Sequence, residues 1–343
     1  MKKLLLLLAL MAAIATSVSA QRVVALHSAT GVSVFSGLNP FVDAYNAAMP
    51  GDTIYLSGGS FANPSLMDKR LHIYGAGYHP TGAAVTNPTL LTGAFTLGDN
   101  ADNLMIQGVQ FMAGIHAGNN VPVTFISVKR SRIDGGINFP GTRATPSTNN
   151  AFVECVIIGD VNFNNVTNSS IVNSIVQNQI ANSHSNAFMN NILLGASWSG
   201  TWGNIIFSNP FHNQISNNIV LTPANMAAVT SDGNQFFNNL FETNAPHLGN
   251  SPTATGNFLN VPVANIFVSH TGSTFSYASD FNLQTPSARL GNDGTQVGIF
   301  GGLFPFKPGG IPQNPHISVR NIAPHTAPDG KLNIQVTVSA QER

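Results

Sequence analysis

Charged side chains are scarce in this sequence, and that shortage excludes whole classes of function. Lysine, arginine, aspartate and glutamate make up 8% of the 343 residues, whereas they form about 25% of an ordinary soluble domain. The 14 basic residues are balanced by 14 acidic ones, so there is no basic surplus to neutralise nucleic-acid phosphates. We therefore expect no nucleic-acid partner.

Cysteine is nearly absent as well. Cys155 is the only one, so an intramolecular disulfide is impossible and zinc sites built from several thiolates are excluded. The 10 histidines show neither His-Glu-x-x-His nor His-x-His spacing, the arrangements that place two imidazoles on one metal ion. We expect no metal and no cofactor, and we interpret Cys155 as a buried apolar filler.

Long apolar runs are missing beyond the first residues of the chain. Lys2 and Lys3 precede an apolar stretch over residues 4–15, and small residues then lead to Gln21. This order is typical of a secretory signal peptide, with cleavage predicted after Ala20. No other run reaches 18 apolar residues, so the sequence predicts no transmembrane segment. The predicted location is secreted or at the cell surface.

Asparagine, by contrast, is abundant, and much of it lies in a repeated pattern of six residues. The pattern is an apolar residue, two variable residues, a small or amide residue, and two mostly apolar positions. It starts at Ile106, Val128, Phe152, Ile171, Phe188, Ile215 and Phe236. The starts are 17 to 27 residues apart, and their mean spacing of about 22 is in the range of repeat architectures.

These repeats predict an all-β fold built from stacked coils. Each repeat is a short apolar run bounded by Asn, Gly, Ser and Pro, which is typical of a strand and not of a helix. A unit this small cannot bury its apolar face alone, so coils stack at about 4.8 Å into a parallel β-helix, or solenoid. The sequence therefore predicts one elongated parallel β-helix.

The fourth position of the repeat should then form a column inside the solenoid. Asparagine side chains in such a column can hydrogen-bond along the axis and hold neighbouring coils in register. An alternative is that these asparagines only mark turns, but their position inside apolar runs favours the column. Its predicted members are Ser131, Cys155, Ser174, Asn191, Asn218 and Asn239.

Both ends of the solenoid have their own signals. Asn39-Pro40, followed by Phe41 and Tyr45, predicts a short amphipathic helix that ends before Pro50-Gly51 and caps the first coil. Residues 331–338 alternate apolar and polar, which predicts a strand with one buried face that returns along the solenoid or covers its end. The predicted organisation is a signal peptide over 1–20, the β-helix with its cap over 21–302, and a Pro/Gly-rich exit with a C-terminal strand extension over 303–343.

Three stretches carry a family resemblance. Residues 50–61 and 71–80 include Pro-Gly-Asp-Thr-Ile-Tyr-Leu and Leu-His-Ile-Tyr-Gly-Ala-Gly-Tyr-His-Pro, and they resemble the opening of secreted right-handed parallel β-helix proteins of the pectin-lyase-like superfamily. Residues 280–302 resemble the final coils of members from Bacteroidetes-type bacteria. The resemblance implies secretion and a right-handed parallel β-helix. It leaves activity open, because the superfamily holds lyases, hydrolases, esterases and non-catalytic surface proteins.

One charged cluster is the candidate for catalysis. On this scaffold polysaccharide lyases neutralise a uronate with a cation and abstract a proton with a basic side chain. The candidates here are Lys129, Arg130, Arg132, Asp134 and Glu154. Aligned repeats place Arg130 and Glu154 at the same third position of adjacent coils, about 5 Å apart along the axis, which predicts an ion pair instead.

The two tryptophans offer a different chemistry. Trp198 and Trp202 lie in the gap between two repeats, where their rings either stack on a sugar or cover the side of the solenoid. Two hypotheses follow. The first is a non-catalytic structural or carbohydrate-binding protein with an extracellular polysaccharide as partner, because paired ionisable groups are few. The second is a polysaccharide lyase or related carbohydrate-active enzyme acting on an acidic glycan.

Overall fold

A computed structural model describes residues 22–81, 84–141, 145–195, 205–221, 225–227 and 230–340. The chain forms a mostly β parallel solenoid of about 9 turns, which confirms the predicted architecture. The predicted signal peptide and both tryptophans, Trp198 and Trp202, lie outside the described residues.

Three long sheets run along the axis, and we name them A, B and C. Sheet A contains the strands Val23–Ser28, Gly31–Ser36, Thr53–Leu56, His72–Tyr74, Met105–Gln107, Ser127–Lys129, Ala151–Val153, Ser170–Val172, Ala187–Met189, Gln214–Ser216, Gln235–Phe237 and Thr253–Thr255. Sheet B contains Gly59–Phe61, Thr89–Leu91, Gln110–Phe111, Arg132–Ile133, Val156–Ile157, Ile175–Val176, Ile192–Leu193, Ile219–Val220 and Leu240–Phe241. Sheet C contains Phe95–Leu97, Ile115–Ala117, Ile137–Asn138, Val161–Asn162, Ile180–Ala181, Ile205–Ser208 and Asn225–Ala227.

Equivalent positions of the sequence repeat pair with one another in sheet A. The first apolar residues of the seven repeats pair in order from one coil to the next, in parallel. All seven side chains are buried in the interior. The sixth position, such as Ile133 or Val176, enters the same core from sheet B. Each coil therefore buries its inward apolar side chains against those of its neighbours, as expected for a solenoid.

The predicted interior column is confirmed. Asn191 and Asn218 each donate a side-chain hydrogen bond, of 3.0 Å, to the amide oxygen of the next asparagine, Asn218 and Asn239 respectively. Their backbone N–H groups donate to the same oxygens, at 2.8 and 3.0 Å. Asn257, which the repeat alignment did not include, extends the column at 3.1 Å. The side-chain oxygens of Asn218, Asn239 and Asn257 thus each accept two hydrogen bonds from the coil before.

The upper part of the column uses smaller groups. The Cys155 N–H donates to the Ser174 hydroxyl at 3.0 Å, and the Ser174 N–H donates to Asn191 Oδ1 at 2.9 Å. The Ser131 hydroxyl accepts from the Val109 N–H at 3.3 Å. Cys155 is fully buried, as predicted, and burial raises the pKa of its thiol to about 12.

A second interior column escaped the sequence analysis. It holds Asn150, Ser169, Asn186, Asn213 and Asn234, all buried, and from Ser169 onwards each side-chain oxygen accepts a hydrogen bond from the backbone N–H of the member before it, at 2.9 to 3.0 Å. Its members lie two residues before the first apolar residue of each repeat. Extending the alignment upstream by two residues would have revealed them.

The corner between sheets A and B explains the third position of the repeat. Residues there have φ between 45° and 72° in every repeat, a left-handed conformation that glycine and asparagine adopt most readily. Gly108 and four asparagines satisfy this requirement, whereas Arg130 and Glu154 are the two exceptions. The exceptions place a charged pair at a corner where the other repeats carry glycine or amides.

The ends match the predictions in part. The helix Pro40–Ala47 follows Asn39 and buries Phe41 and Tyr45 against the first coil, which confirms the cap. Lys69 Nζ stabilises the carboxyl end of this helix by donating to the carbonyls of Tyr45 and Ala48, at 2.8 Å each. The antiparallel strands Val23–Ser28 and Gly31–Ser36, which the sequence analysis did not predict, extend sheet A at this end.

The predicted burial of the C-terminal strand is wrong. The strand Ile334–Ser339 pairs antiparallel with His316–Ile322, and all six of its residues are exposed. A different segment returns along the solenoid. That segment, residues 261–312, is named the strap.

The strap covers the outer face of sheet B. It contains the 3₁₀ turns Val263–Asn265 and Pro286–Ala288 and the antiparallel strands Phe267–Ser269 and Asp280–Leu283. The fifth-position side chains of the repeats, apolar from Val156 onwards, form a second apolar cluster with the strap. Asn173 Nδ2 fastens the strap by donating to the carbonyls of Ile299 and Gly301, at 2.9 and 2.7 Å. A short pair of strands, Ser147–Thr148 and Val166–Thr167, completes the described structure.

Candidate functional site

The charged candidates from the sequence lie together beside the strap. Arg130 Nε donates to Glu154 Oε2 at 2.8 Å, and the two side chains are only 1% and 6% exposed. This confirms the ion pair that the aligned repeats predicted. Burial raises the pKa of the Glu154 carboxyl above its ordinary value, against the opposing attraction of Arg130. Arg130 and Glu154 are therefore positioned to join two coils, with little surface left for a substrate.

The second pair of the cluster holds the strap. Arg132 Nε donates to Asp134 Oδ1 at 2.6 Å, and Gln110 Nε2 donates to the other carboxylate oxygen at 2.6 Å. The Arg132 guanidinium lies 5.2 Å from the ring centre of Tyr277 and 5.8 Å from that of Phe275. A cation over aromatic faces is attracted by about 0.5–2 kcal/mol. These contacts engage Arg132 with the strap, which supports a structural role for the pair.

The outer face of sheet A is a different kind of surface. Sheet B is covered by the strap, but the outward side chains of sheet A are exposed or half-buried, apart from the buried Gln107 and Ser216. They form two columns along the axis, set by the strand register. One column runs from Thr53 to Thr253 and the other from Tyr55 to Thr255. We name these two columns together the A face.

Aromatic rings dominate the amino-terminal end of the A face. Tyr55 and Tyr74 stack with ring centres 5.4 Å apart and planes inclined by 18°. His27 meets Tyr55 edge-on at 4.9 Å. Both tyrosines project outward because residues 53 to 55 and 72 to 74 pair in parallel, with Ile54 and Ile73 turned inward. The two tyrosine rings are half-buried at this end, and the Tyr74 hydroxyl lies 3.9 Å from the Met105 sulfur.

Amides and hydroxyls dominate the other end. Ser170, Ala187, Gln214 and Gln235 pair in sequence along one column, and both glutamines are exposed. They form part of the lining of a shallow groove of about 440 Å³ together with His212. The groove is polar. Its two glutamine side chains donate and accept hydrogen bonds and carry no formal charge.

A second groove of about 430 Å³ adjoins the first at Gln214. Its floor contains Val153, Val172 and Met189 from the other column of the A face, and Phe304 of the strap forms a wall. Apolar and polar strips therefore run side by side along the same coils. Such a surface can take a ligand that has both apolar faces and hydroxyl groups.

The A face is nearly free of charge. Lys129 is the one lysine, arginine, aspartate or glutamate in its two columns, counted over the described strands from Thr53–Leu56 to Thr253–Thr255. The other four charged candidates, Arg130, Arg132, Asp134 and Glu154, lie at the corner or on sheet B. The A face was not predicted, although the outward positions alternate with the buried ones in each repeat.

Among the described residues, no three His, Cys, Asp or Glu side chains converge as metal ligands would. Nor does any helix in that part of the chain have the length and apolar character needed to cross a membrane.

Comparison with protein-family models, with curated proteins and with solved structures found no match to this chain.

Proposed function

We propose that this protein is a secreted or cell-surface solenoid that binds a neutral polysaccharide on the A face without cleaving it. The observation that carries the proposal is the uncovered A face, with aromatic, amide and hydroxyl side chains in columns and a single formal charge. Sugars present apolar ring faces and hydroxyls that both donate and accept hydrogen bonds. Amides and hydroxyls match that pattern, and aromatic rings pack on the apolar faces.

The repeat of the solenoid suits a polymer in particular. Coils are spaced by about 4.8 Å along the axis, so equivalent side chains recur at short, regular intervals. A polysaccharide presents its own units at regular intervals and can contact several coils at once. Individually weak contacts then add through multivalency.

The arrangement of charges supports the non-catalytic alternative. The lyase hypothesis depends on cations that reach a uronate, whereas Arg130 and Arg132 are engaged with carboxylates at 2.8 and 2.6 Å, and Lys129 is the remaining candidate cation. The family membership and the secreted location are part of the proposal as well. They rest on the resemblance to the pectin-lyase-like superfamily and on the predicted signal peptide over residues 1–20.

We expect the double variant Gln214→Ala/Gln235→Ala to bind a neutral polysaccharide at least about tenfold more weakly than the wild type. Each lost hydrogen bond is worth about 1 kcal/mol, and both side chains are exposed, so folding should be unaffected. Affinity electrophoresis through gels containing xylan, xyloglucan, galactomannan or laminarin measures the change. A second variant, Tyr55→Ala/Tyr74→Ala, tests the aromatic end in the same gels.

The matched control is Asn321→Ala/Gln335→Ala, which removes two exposed amides from a cross-strand pair of the C-terminal hairpin. It should migrate like the wild type in every gel. Equal retardation of the wild type and both A-face variants would overturn the proposed site. Formation of unsaturated uronate products from pectate or alginate would contradict the non-catalytic part.

A further inference from the structure

A cavity of about 250 Å³ lies between the outer face of sheet B and the strap. It is separate from the A face, because its floor is Ile175 of sheet B and its walls come from the strap and from residues 78 and 79. Six aromatic rings line it: Tyr78, Phe275, Tyr277, Phe281, Phe300 and Phe306.

The walls are held firmly in place. Tyr78 is 1% exposed, and Gly310 packs against its ring with φ of 57°, where a side chain would collide with the ring. Tyr277 is held between the edge of His79, at 4.6 Å, and the guanidinium of Arg132. The cavity is thus built from groups fixed by the solenoid and by the strap together.

Polar groups occur on one side of the cavity. Ser276, Ser279, Asp280 and Asn282 line it there. Asp280 Oδ1 accepts hydrogen bonds from the Asn282 N–H and side chain, at 2.9 and 2.7 Å, and its Oδ2 can accept from a ligand hydroxyl. Burial lowers the pKa of His79, which favours the neutral form of its ring. Among the residues that the structure describes, no lysine or arginine lines the cavity.

We propose that this cavity binds a single neutral sugar ring, either a free monosaccharide or the end of a glycan chain. The choice of a sugar rests on the proposed function, but the site is independent of the A face. A cavity of about 150 Å³ holds benzene and drug-sized ligands need about 300 Å³ or more, so 250 Å³ suits one six-membered ring with its substituents. The aromatic walls pack on the ring faces, and the polar side binds hydroxyls. The carboxylate of Asp280 disfavours an acidic sugar.

Saturation-transfer NMR on the full protein tests the proposal with methyl glycosides of glucose, galactose, mannose and xylose, and with glucuronate and galacturonate. We expect at least one neutral glycoside to bind and both uronates to bind more weakly or not at all. The variant Ser276→Trp, at an exposed position on the lining, should block the cavity and reduce the affinity at least tenfold. Asn282→Ala, also exposed, should reduce it several-fold by removing a polar contact.

The matched control is Ser273→Trp, an exposed serine of the same loop that does not line the cavity, and it should bind like the wild type. Absence of binding by all four neutral glycosides would overturn the proposal, as would preferential binding of a uronate. So would binding that Ser276→Trp and Asn282→Ala both leave unchanged. The A-face variants should retain glycoside binding, so loss of polymer binding alone concerns the A face and loss of glycoside binding alone concerns the cavity.

Discussion

The variant Asn218→Ala should lose about 4 kcal/mol of unfolding free energy, because it leaves several buried groups without partners. Asn218 Oδ1 accepts from the backbone and side chain of Asn191, at 2.8 and 3.0 Å. Its Nδ2 donates to the Phe188 carbonyl at 2.8 Å and to Asn239 Oδ1 at 3.0 Å. Each buried group left unsatisfied costs about 1–3 kcal/mol, and at least the Asn191 N–H and the Phe188 carbonyl are affected.

Denaturant unfolding followed by circular dichroism measures this loss. The control Asn321→Ala removes an exposed amide of the C-terminal hairpin and should change stability by less than about 0.5 kcal/mol. A loss below about 1 kcal/mol for Asn218→Ala would show that the interior column contributes little to stability.

The variant Glu154→Ala should be destabilised by a similar amount, about 3–5 kcal/mol, because it removes the carboxylate that pairs with a buried cation. Arg130 is 1% exposed and its Nε lies 2.8 Å from Glu154 Oε2. The double variant Arg130→Met/Glu154→Gln removes the charge while keeping similar volumes, so it should regain most of the loss. The thermal midpoint and the denaturant midpoint should move together.

The exposed ion pair of the hairpin is the matched control for this experiment. Lys331 Nζ lies 3.2 Å from Asp329 Oδ2, with side chains 84% and 55% exposed. Breaking such a pair with Asp329→Ala should have almost no effect on stability. If Glu154→Ala left stability unchanged and abolished an enzymatic activity, a catalytic role for the cluster would replace the structural one.

The sequence predicted the solenoid and its interior register because the relevant contacts are local and periodic. Residues such as Asn191 and Asn218 bond to the coil one repeat away, so their positions in the repeat already specify their partners. The alignment of the repeats likewise predicted that Arg130 lies beside Glu154. The second column, with Asn186 and Asn213, was equally readable and was overlooked only because the alignment began two residues too late.

The position of the strap and of the sites beside it could not be predicted from the repeat. Asn173 meets Ile299 and Gly301 across 126 and 128 residues, and no repeat connects these segments. Ile175 and Ile192 were visibly apolar in the pattern, but what covers them depends on the surface that the finished solenoid presents. Residues 331–338, whose alternation predicted a buried face, are exposed, because a periodic pattern does not specify which surface would cover it. Contacts between neighbouring coils follow from the repeat in the sequence. The packing of the strap, which carries no repeat, depends on surfaces that form only after the coils have stacked.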